Sequence, residues 1–145
     1  MTLDPTLAGR TYAAAASYVV GREAVRQFAA AVGAEHPLHH DVEAARRAGF
    51  GDVVAPPTFA VVVAQPATDA MMADPGVGLE YSRIVHGEQT FVHHAPVVAG
   101  DELDATMTVA SVRSAGGAAM LTLVTEVTTV AGEPRSTVTA LLVHR

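Results

Sequence analysis

The chain has 145 residues, of which half are apolar and 17% are charged, and its formal net charge is −6. This length and composition predict one compact domain spanning residues 1–145 and exclude a disordered or collagen-like chain. Cys, Trp, Lys and Asn are absent, which excludes disulfides, thiolate metal sites and a cysteine nucleophile.

The N-terminal half of the sequence predicts one strand and three helical segments. Tyr12–Val20 is apolar and ends in β-branched residues, which suits a first strand, although its alanine run is also compatible with a helix. Apolar residues at helical spacing predict an amphipathic helix over Arg22–Val32, with Gly33 as the residue that ends it. A long polar connection follows, with a short helix predicted near Val42–Ala48.

The stretch 57–73 predicts a buried central helix, because it begins after two prolines and is apolar on all sides at its start. Pro66 lies inside this helix and is expected to kink or shorten it. From Leu79 onward the pattern is typical of strands, with strict alternation around Leu103–Val109 and glycine-bearing turns after Ala115 and Val130. The predicted fold class is therefore α+β, an antiparallel sheet with a long helix on its concave face.

Three histidines and an aspartate stand close together in the long connection, in His36-Pro-Leu-His39-His40-Asp41. Such a cluster suits a transition metal, but no second group of ligands elsewhere completes a site. An imidazole near a carboxylate also suits general base catalysis. The third interpretation is a set of polar histidines on a solvated loop, and the residue types alone leave all three open.

The order of motifs along the whole chain resembles the MaoC-like, R-specific enoyl hydratases, and in particular the FAS1-like dehydratase branch of that family. The similar segments are AEHPLHHDVEAARRAGFGDVVAPPTF from Ala34, RIVHGEQTF from Arg83, and PVVAGDEL from Pro96. The resemblance implies a single hot-dog domain, in which the sheet wraps around a central helix over about residues 57–73. Short members of this branch include a non-catalytic subunit of a (3R)-hydroxyacyl-ACP dehydratase.

The resemblance also implies a catalytic site, and this sequence keeps only part of it. The family motif is Asp-x-Asn-Pro-x-His; aligned on Pro37, its histidine corresponds to His39, its asparagine to His36 and its aspartate to Ala34. A methyl group cannot exchange a proton. Glu35 is the candidate acid that replaces the missing carboxylate, although neighbouring residues of an extended segment point to opposite sides.

The start of the central helix is the expected thioester-binding segment, with Ala55, Pro56 and Thr58 as candidate binding residues, and His36 of the histidine cluster is a further candidate. The resembling hydratases commonly carry a glycine near Pro56, whose N–H polarises the thioester carbonyl, and proline lacks that donor. The amides of Thr58 and Phe59 are the expected substitutes. His86 either lines the acyl channel or is a hydrogen-bonded core residue, and the core is the favoured interpretation. His93 and His94 should face opposite sides of their strand, so at most one should line any pocket.

These observations predict a protein that handles fatty acyl thioesters, as trans-2-enoyl hydratase or (3R)-3-hydroxyacyl dehydratase, and most simply as the acyl-binding half of a homodimer or heterodimer with a second hot-dog subunit. The substrate is an acyl-CoA or acyl-ACP thioester, and no cofactor or metal is expected. One alternative is a non-enzymatic acyl-binding or scaffold subunit. The other is an acyl-CoA thioesterase, in which Asp69 or Glu35 would supply the carboxylate.

Two further classes of partner are not expected. The arginines are spread along the chain and form no basic stripe, so nucleic acid is an unsuitable ligand. The N-terminus has no signal-peptide pattern, and the longest strictly apolar run, Phe59–Ala64, is far below the ~18 residues of a membrane span. We therefore expect no membrane partner and a cytoplasmic location.

Overall fold

The computed structural model describes residues 3–145 and shows strands and helices in the predicted order. The strands are β1 (Thr11–Ala13), β2 (Tyr18–Val19), β3 (Ile84–His93), β4 (Glu102–Ala115), β5 (Ala118–Thr129) and β6 (Pro134–His144). The helices are α1 (Arg22–Ala31), α2 (Val42–Arg47) and α3 (Ala60–Ala73), with 3₁₀ turns at Pro5–Leu7, Pro37–His39, Pro57–Phe59 and Tyr81–Arg83. Within residues 3–145 no helix is both long enough and apolar enough to cross a membrane.

The first strand differs from its prediction, because two short strands replace the single strand expected over Tyr12–Val20. Both β1 and β2 pair antiparallel with β4, and residues 14–17 between them leave the sheet. This break contains three alanines and Ser17, which have little tendency to form strands. The edge of the sheet is therefore interrupted where the sequence lacks β-branched residues.

Helix α1 confirms the amphipathic prediction over most of its length. Val25 and Ala29 are fully buried, whereas Val32, which the spacing placed on the apolar face, is 52% exposed and caps the helix end. Gly33 follows with a φ of +71°, a conformation that costs glycine nothing and is unfavourable for residues with a Cβ. The predicted helix thus ends one residue early, and Gly33 turns the chain toward the histidine segment.

The central segment 57–73 is helical as predicted, with the turn Pro57–Phe59 leading into α3. Pro66 does not shorten the helix, which continues to Ala73. The residues that α3 buries against the sheet are Ala60, Val63, Ala64, Ala67 and Met71. This buried stripe stabilises the helix through packing, which outweighs the backbone hydrogen bond that Pro66 cannot form.

The four long strands confirm the alternating pattern, and they curl around α3. The sheet order is β1-β4-β5-β6-β3, all antiparallel, with β2 beside β4. In β4 the side chains of Leu103, Ala105, Met107 and Val109 are buried, and the residues between them are half-buried or exposed. A sheet wrapped around one long helix is the hot-dog fold, as the resemblance implied. Strand β3 forms one edge of this sheet.

Candidate active site

The histidine segment is held by local capping bonds. Ala34 N–H donates to Ala29 O at 2.8 Å just after Gly33. The Nδ1 atom of His36 then accepts from Leu38 N–H at 3.2 Å and caps the 3₁₀ turn Pro37–His39. Asp41 caps the next element, α2, by accepting from the backbone amides of Glu43 and Ala44. These caps fix the position of His39, which is the last residue of the 3₁₀ turn and lies just before α2.

His39 is anchored to the segment before the central helix. Its Nδ1 lies 2.6 Å from Val54 O, and Val54 N–H donates to Leu38 O at 2.8 Å. A carbonyl oxygen only accepts, so Nδ1 carries the proton and the Nε2 of neutral His39 is a bare acceptor. The side chain is half-buried. This arrangement is that of an oriented general base.

The other two histidines of the segment are engaged elsewhere. His36 is exposed and serves as the cap described above. The Nε2 of His40 lies 2.7 Å from Ala34 O, and the carbonyl of His40 accepts from Arg26 Nε at 2.9 Å. Within residues 3–145 no group of His, Asp and Glu is arranged to hold a metal ion. The three imidazoles hydrogen-bond to different partners, and the rings of His36 and His40 lie edge-on to His39 with centroids 6.2 and 6.4 Å away.

A cavity of about 430 Å³ opens beside His39 at the start of α3, and we call it the histidine cavity. Its lining residues are His39, Val54, Ala55, Pro56, Pro57, Ala60, His93, His94, Ala95, Pro96, Val97 and Ser136. The walls are mainly apolar, and the polar side chains are three imidazoles and one hydroxyl. None of the lining residues is a carboxylate, so the side chains of this cavity that can exchange a proton near neutral pH are the imidazoles.

His93 and His94 enter this cavity from the end of β3. His93 Nδ1 lies 2.8 Å from Ser136 Oγ, whereas His94 Nε2 lies 3.0 Å from Thr137 Oγ1, on the opposite side of β6. The two side chains thus face opposite ways, as predicted. The prediction that at most one would line a pocket is wrong, because β3 ends at His93 and His94 lies in the bend that forms the cavity rim.

The start of the central helix offers fewer amide donors than expected. Ala55 and Pro56 are buried and line the histidine cavity. The amide of Phe59 donates to Pro56 O at 2.9 Å, so it is not a free donor and that expectation is wrong. Thr58 is exposed and not a lining residue. Its amide lies in the first helical turn, where N–H groups lack an intrahelical acceptor.

A second cavity of about 220 Å³ runs between α3 and the edge of the sheet, and we call it the helix groove. Its lining residues are Val61, Ala64, Gln65, Thr68, Met72, Tyr81, Ile84, His86, Gln89, Leu123, Thr125, Val138, Ala140 and Leu142. His86 is exposed, and its Nε2 lies 3.1 Å from Glu88 O. The core interpretation of His86 is therefore wrong, and the residue lies where the channel interpretation required.

The carboxylates considered at the sequence level lie outside both cavities. Glu35 is exposed and is not a lining residue of either one. Asp69 is exposed and accepts from Gln65 Nε2 at 2.7 Å. Ala34, at the position of the family's aspartate, has no polar side-chain atom and forms hydrogen bonds only through its backbone. A catalytic role for Glu35 stays a prediction, as do the binding roles of His36 and Thr58.

An ion pair supports the segment that holds His39. Arg22 at the start of α1 donates to both carboxylate oxygens of Asp52, at 3.0 and 2.7 Å, and Asp52 also accepts from Val53 N–H at 2.8 Å. The hydrogen bonds from Arg22 lower the pKa of Asp52 from 3.8 to about 2. The pair therefore fixes residues 52–54, and with them the carbonyl that orients His39.

Comparison with known proteins places this site in a family. A family model described as "FAS1-like, dehydratase domain region" matches residues 6–138. A UPF0336 protein of Saccharopolyspora erythraea is 48% identical over 145 residues, covering 100% of this chain and 93% of that protein. A chain of the HadBC (3R-hydroxyacyl-ACP dehydratase) complex from Mycobacterium tuberculosis has a TM-score of 0.87 and 34% identity, covering 94% of this chain and 96% of that one.

A structure titled MaoC-like dehydratase is also similar, with a TM-score of 0.85 and 36% identity over 94% of this chain, which corresponds to 42% of that longer chain. The fold and the histidine beside the central helix define a hot-dog protein of the MaoC-like dehydratase and hydratase class. Within that class, the chain belongs to the FAS1-like dehydratase domain family.

Proposed function

We propose that this chain is the acyl-binding half of a hot-dog dimer that interconverts trans-2-enoyl and (3R)-3-hydroxyacyl thioesters, with His39 as the base. The observation that carries the proposal is the 2.6 Å contact between His39 Nδ1 and Val54 O, which leaves Nε2 bare at a cavity. The similarity to a chain of a (3R)-hydroxyacyl-ACP dehydratase complex supports the same chemistry. The substrate is an acyl-CoA or acyl-ACP thioester, and the reaction uses no cofactor.

In this proposal the two cavities bind different parts of the substrate. The thioester head lies in the histidine cavity, and the acyl tail lies in the helix groove, whose walls are largely aliphatic. His39 Nε2 removes a proton from water while the oxygen attacks C3 of the enoyl chain. Pro56 has no N–H to donate to the thioester oxygen, and Thr58 is not a lining residue of this cavity, so this chain supplies no first-turn amide there.

The dimer in this proposal forms along β3. This strand is an edge of the sheet, and it carries exposed Val85 and Val92, which are 47% and 58% accessible. An unpaired edge with apolar side chains is a template for pairing with another strand. Pairing with a second hot-dog subunit, either a copy of this chain or a different one, extends the sheet and covers these residues.

Hydration of crotonyl-CoA by the purified chain, alone and with a co-encoded hot-dog partner, tests this function. We expect loss of the enoyl thioester absorbance with the wild type. His39→Gln should lower kcat by about 10²- to 10³-fold, the usual contribution of a general base. Arg113→Gln, on the exposed end of β4, is the control and should keep wild-type activity. Activity that survives His39→Gln would contradict the assignment of the base.

The second candidate is a non-enzymatic acyl-binding subunit, and Ala34 favours it. In that case the chain binds the acyl thioester, and any hydration of crotonyl-CoA does not depend on His39. The partner subunit then carries the catalytic residues. Release of free thiol without hydration would instead indicate a thioesterase. No carboxylate lines either cavity, and Asp69 is paired with Gln65 on the surface, so the structure offers that third activity no support.

A further inference from the structure

A second imidazole of the histidine cavity, that of the exposed His93, is also held by defined contacts. His93 contacts Ser136 Oγ at 2.8 Å through Nδ1, and Ser136 is fully buried. One face of the imidazole stacks on Phe91, with ring centroids 5.7 Å apart and an interplanar angle of 10°. Phe91 itself packs against the hydrophobic core. The ring is thus fixed at one nitrogen and one face, and Nε2 is the nitrogen that remains for a ligand in the cavity.

His39 and His93 differ in the protonation states that their hydrogen-bond partners allow. The Val54 carbonyl only accepts, so it restricts neutral His39 to one tautomer, with Nε2 bare. The Ser136 hydroxyl donates or accepts by rotating, so it tolerates His93 with or without a proton on Nε2. Neutral His39 is therefore held in the tautomer that removes a proton through Nε2, whereas the partner of His93 is compatible with Nε2 either delivering or recovering one.

Resting on the proposed function, we propose that His93 is a second catalytic residue, which exchanges the proton at C2 of the acyl chain. It takes the role that Ala34 and the exposed Glu35 do not fill. In hydration, an O–H bond of water breaks and its proton goes to His39 Nε2 while oxygen bonds to C3. The C2=C3 electron pair moves to C2, which takes a proton from the imidazolium Nε2–H of His93. The proton on His39 then passes through water to His93, and both residues return to their starting states.

Hydration by this route depends on the protonation states of both imidazoles. It requires neutral His39 and protonated His93, so kcat/KM should follow a bell-shaped pH profile. The other titratable groups at this end of the site are His94 at the cavity rim and the Arg135–Asp101 pair next to Ser136 in the chain, with 3.3 Å between Arg135 Nε and Asp101 Oδ2.

The test uses His93→Gln, which keeps a polar side chain able to contact Ser136, in whichever form of the protein hydrates crotonyl-CoA. We expect kcat to fall by about 10²- to 10³-fold and the alkaline limb of the pH profile to disappear while the acidic limb, set by His39, remains. Ser136→Ala is the second variant, and it should alter the alkaline limb while leaving the acidic limb in place. Arg113→Gln is the unaffected control.

The outcomes separate this inference from the proposed function. A His93→Gln protein that keeps both limbs and wild-type kcat would overturn the role of His93 and leave the proposed function standing, provided that His39→Gln is inactive. Hydration that is absent from every form, or that survives His39→Gln, would overturn both. A melting temperature within about 2 °C of wild type, roughly the shift that half a kcal/mol causes in a domain of this size, confirms that each variant is folded.

Discussion

The Arg22–Asp52 ion pair is the residue-level contact that supports the position of His39, the proposed base. Asp52 is partly buried, and its pKa of about 2 reflects the two hydrogen bonds from Arg22. A carboxylate with a lowered pKa contributes stability above its unfolded pKa and loses it as the pH falls through the folded value. The contribution of this pair should therefore be complete near neutral pH and disappear between about pH 4 and pH 2.

Asp52→Asn tests this contact. We expect the variant to be less stable than wild type at pH 7 and the difference in free energy of unfolding to shrink as the pH falls toward 2. Urea unfolding at several pH values measures it. Asp69→Asn is a matched control, because Asp69 is an exposed carboxylate that bonds only Gln65. A difference that stays constant down to pH 2 would show that Asp52 acts through its shape and not its charge.

At the same scale, the sequence pointed to His39 as the candidate base but did not point to the contact between His93 and Ser136. The motif around Pro37 contains the first residue, and a single bond to the backbone then fixes its tautomer. The pairing of His93 with Ser136 depends on the register between β3 and β6, in which these residues are opposite. They are 43 positions apart in the chain, and alternation within one strand carries no information about its partner's register. The signal that the sequence did contain is the spacing of Phe91 and His93, because residues two positions apart in a strand lie on the same face of the sheet.

At the scale of elements, the termini of the helices direct the chain into the site. Helix α1 ends at Ala31 with Val32 as its cap, and the positive φ of Gly33 then turns the chain toward the histidine segment. The sequence predicted this helix end because a glycine directly after an amphipathic repeat commonly adopts the left-handed conformation that ends a helix. It did not locate the break between β1 and β2, because alanine runs are compatible with strand, helix or loop.

Gly33→Ala tests the helix stop. No atom outside the neighbouring residues lies within 4 Å of the added Cβ, so the cost comes from the φ of +71° alone. We expect a loss of about 1 kcal/mol in the free energy of unfolding. Gly51→Ala is the control, since Gly51 also has open space around it but no positive φ, and it should be neutral or slightly stabilising. Equal effects of the two changes would contradict the conformational explanation.

At the scale of the whole molecule, the proposed dimer determines whether the helix groove is closed. The groove is lined by Ile84, His86 and Gln89 of β3, the edge strand. A second subunit paired along this edge would cover the groove and exclude water from the acyl tail. The sequence predicted the antiparallel sheet from alternation, but which strand forms its edge depends on the order of the strands, which no local pattern encodes.

A pair of charged substitutions on β3 tests the dimer. Val85→Lys with Val92→Lys should shift the protein toward the 15.0 kDa of one chain, because lysine on an edge strand disfavours pairing. Val19→Lys with Val130→Lys is the matched control, since these valines are similarly exposed, at 66% and 53%, and lie outside β3. Sedimentation velocity distinguishes the two. If both pairs leave the mass unchanged, β3 is not the interface.

The bond between His39 and Val54 also bears on how such a site evolves. The acceptor is a main-chain carbonyl, so it is present whatever side chain occupies position 54. Substitutions at position 54 should therefore leave the orientation of His39 unchanged, provided that the backbone conformation is unchanged. The orientation of His39 is thus insensitive to the side chain at position 54, whereas a carboxylate partner would depend on its own side chain. If His39 is the base, as proposed, loss of the family's aspartate would still leave an oriented imidazole in the cavity.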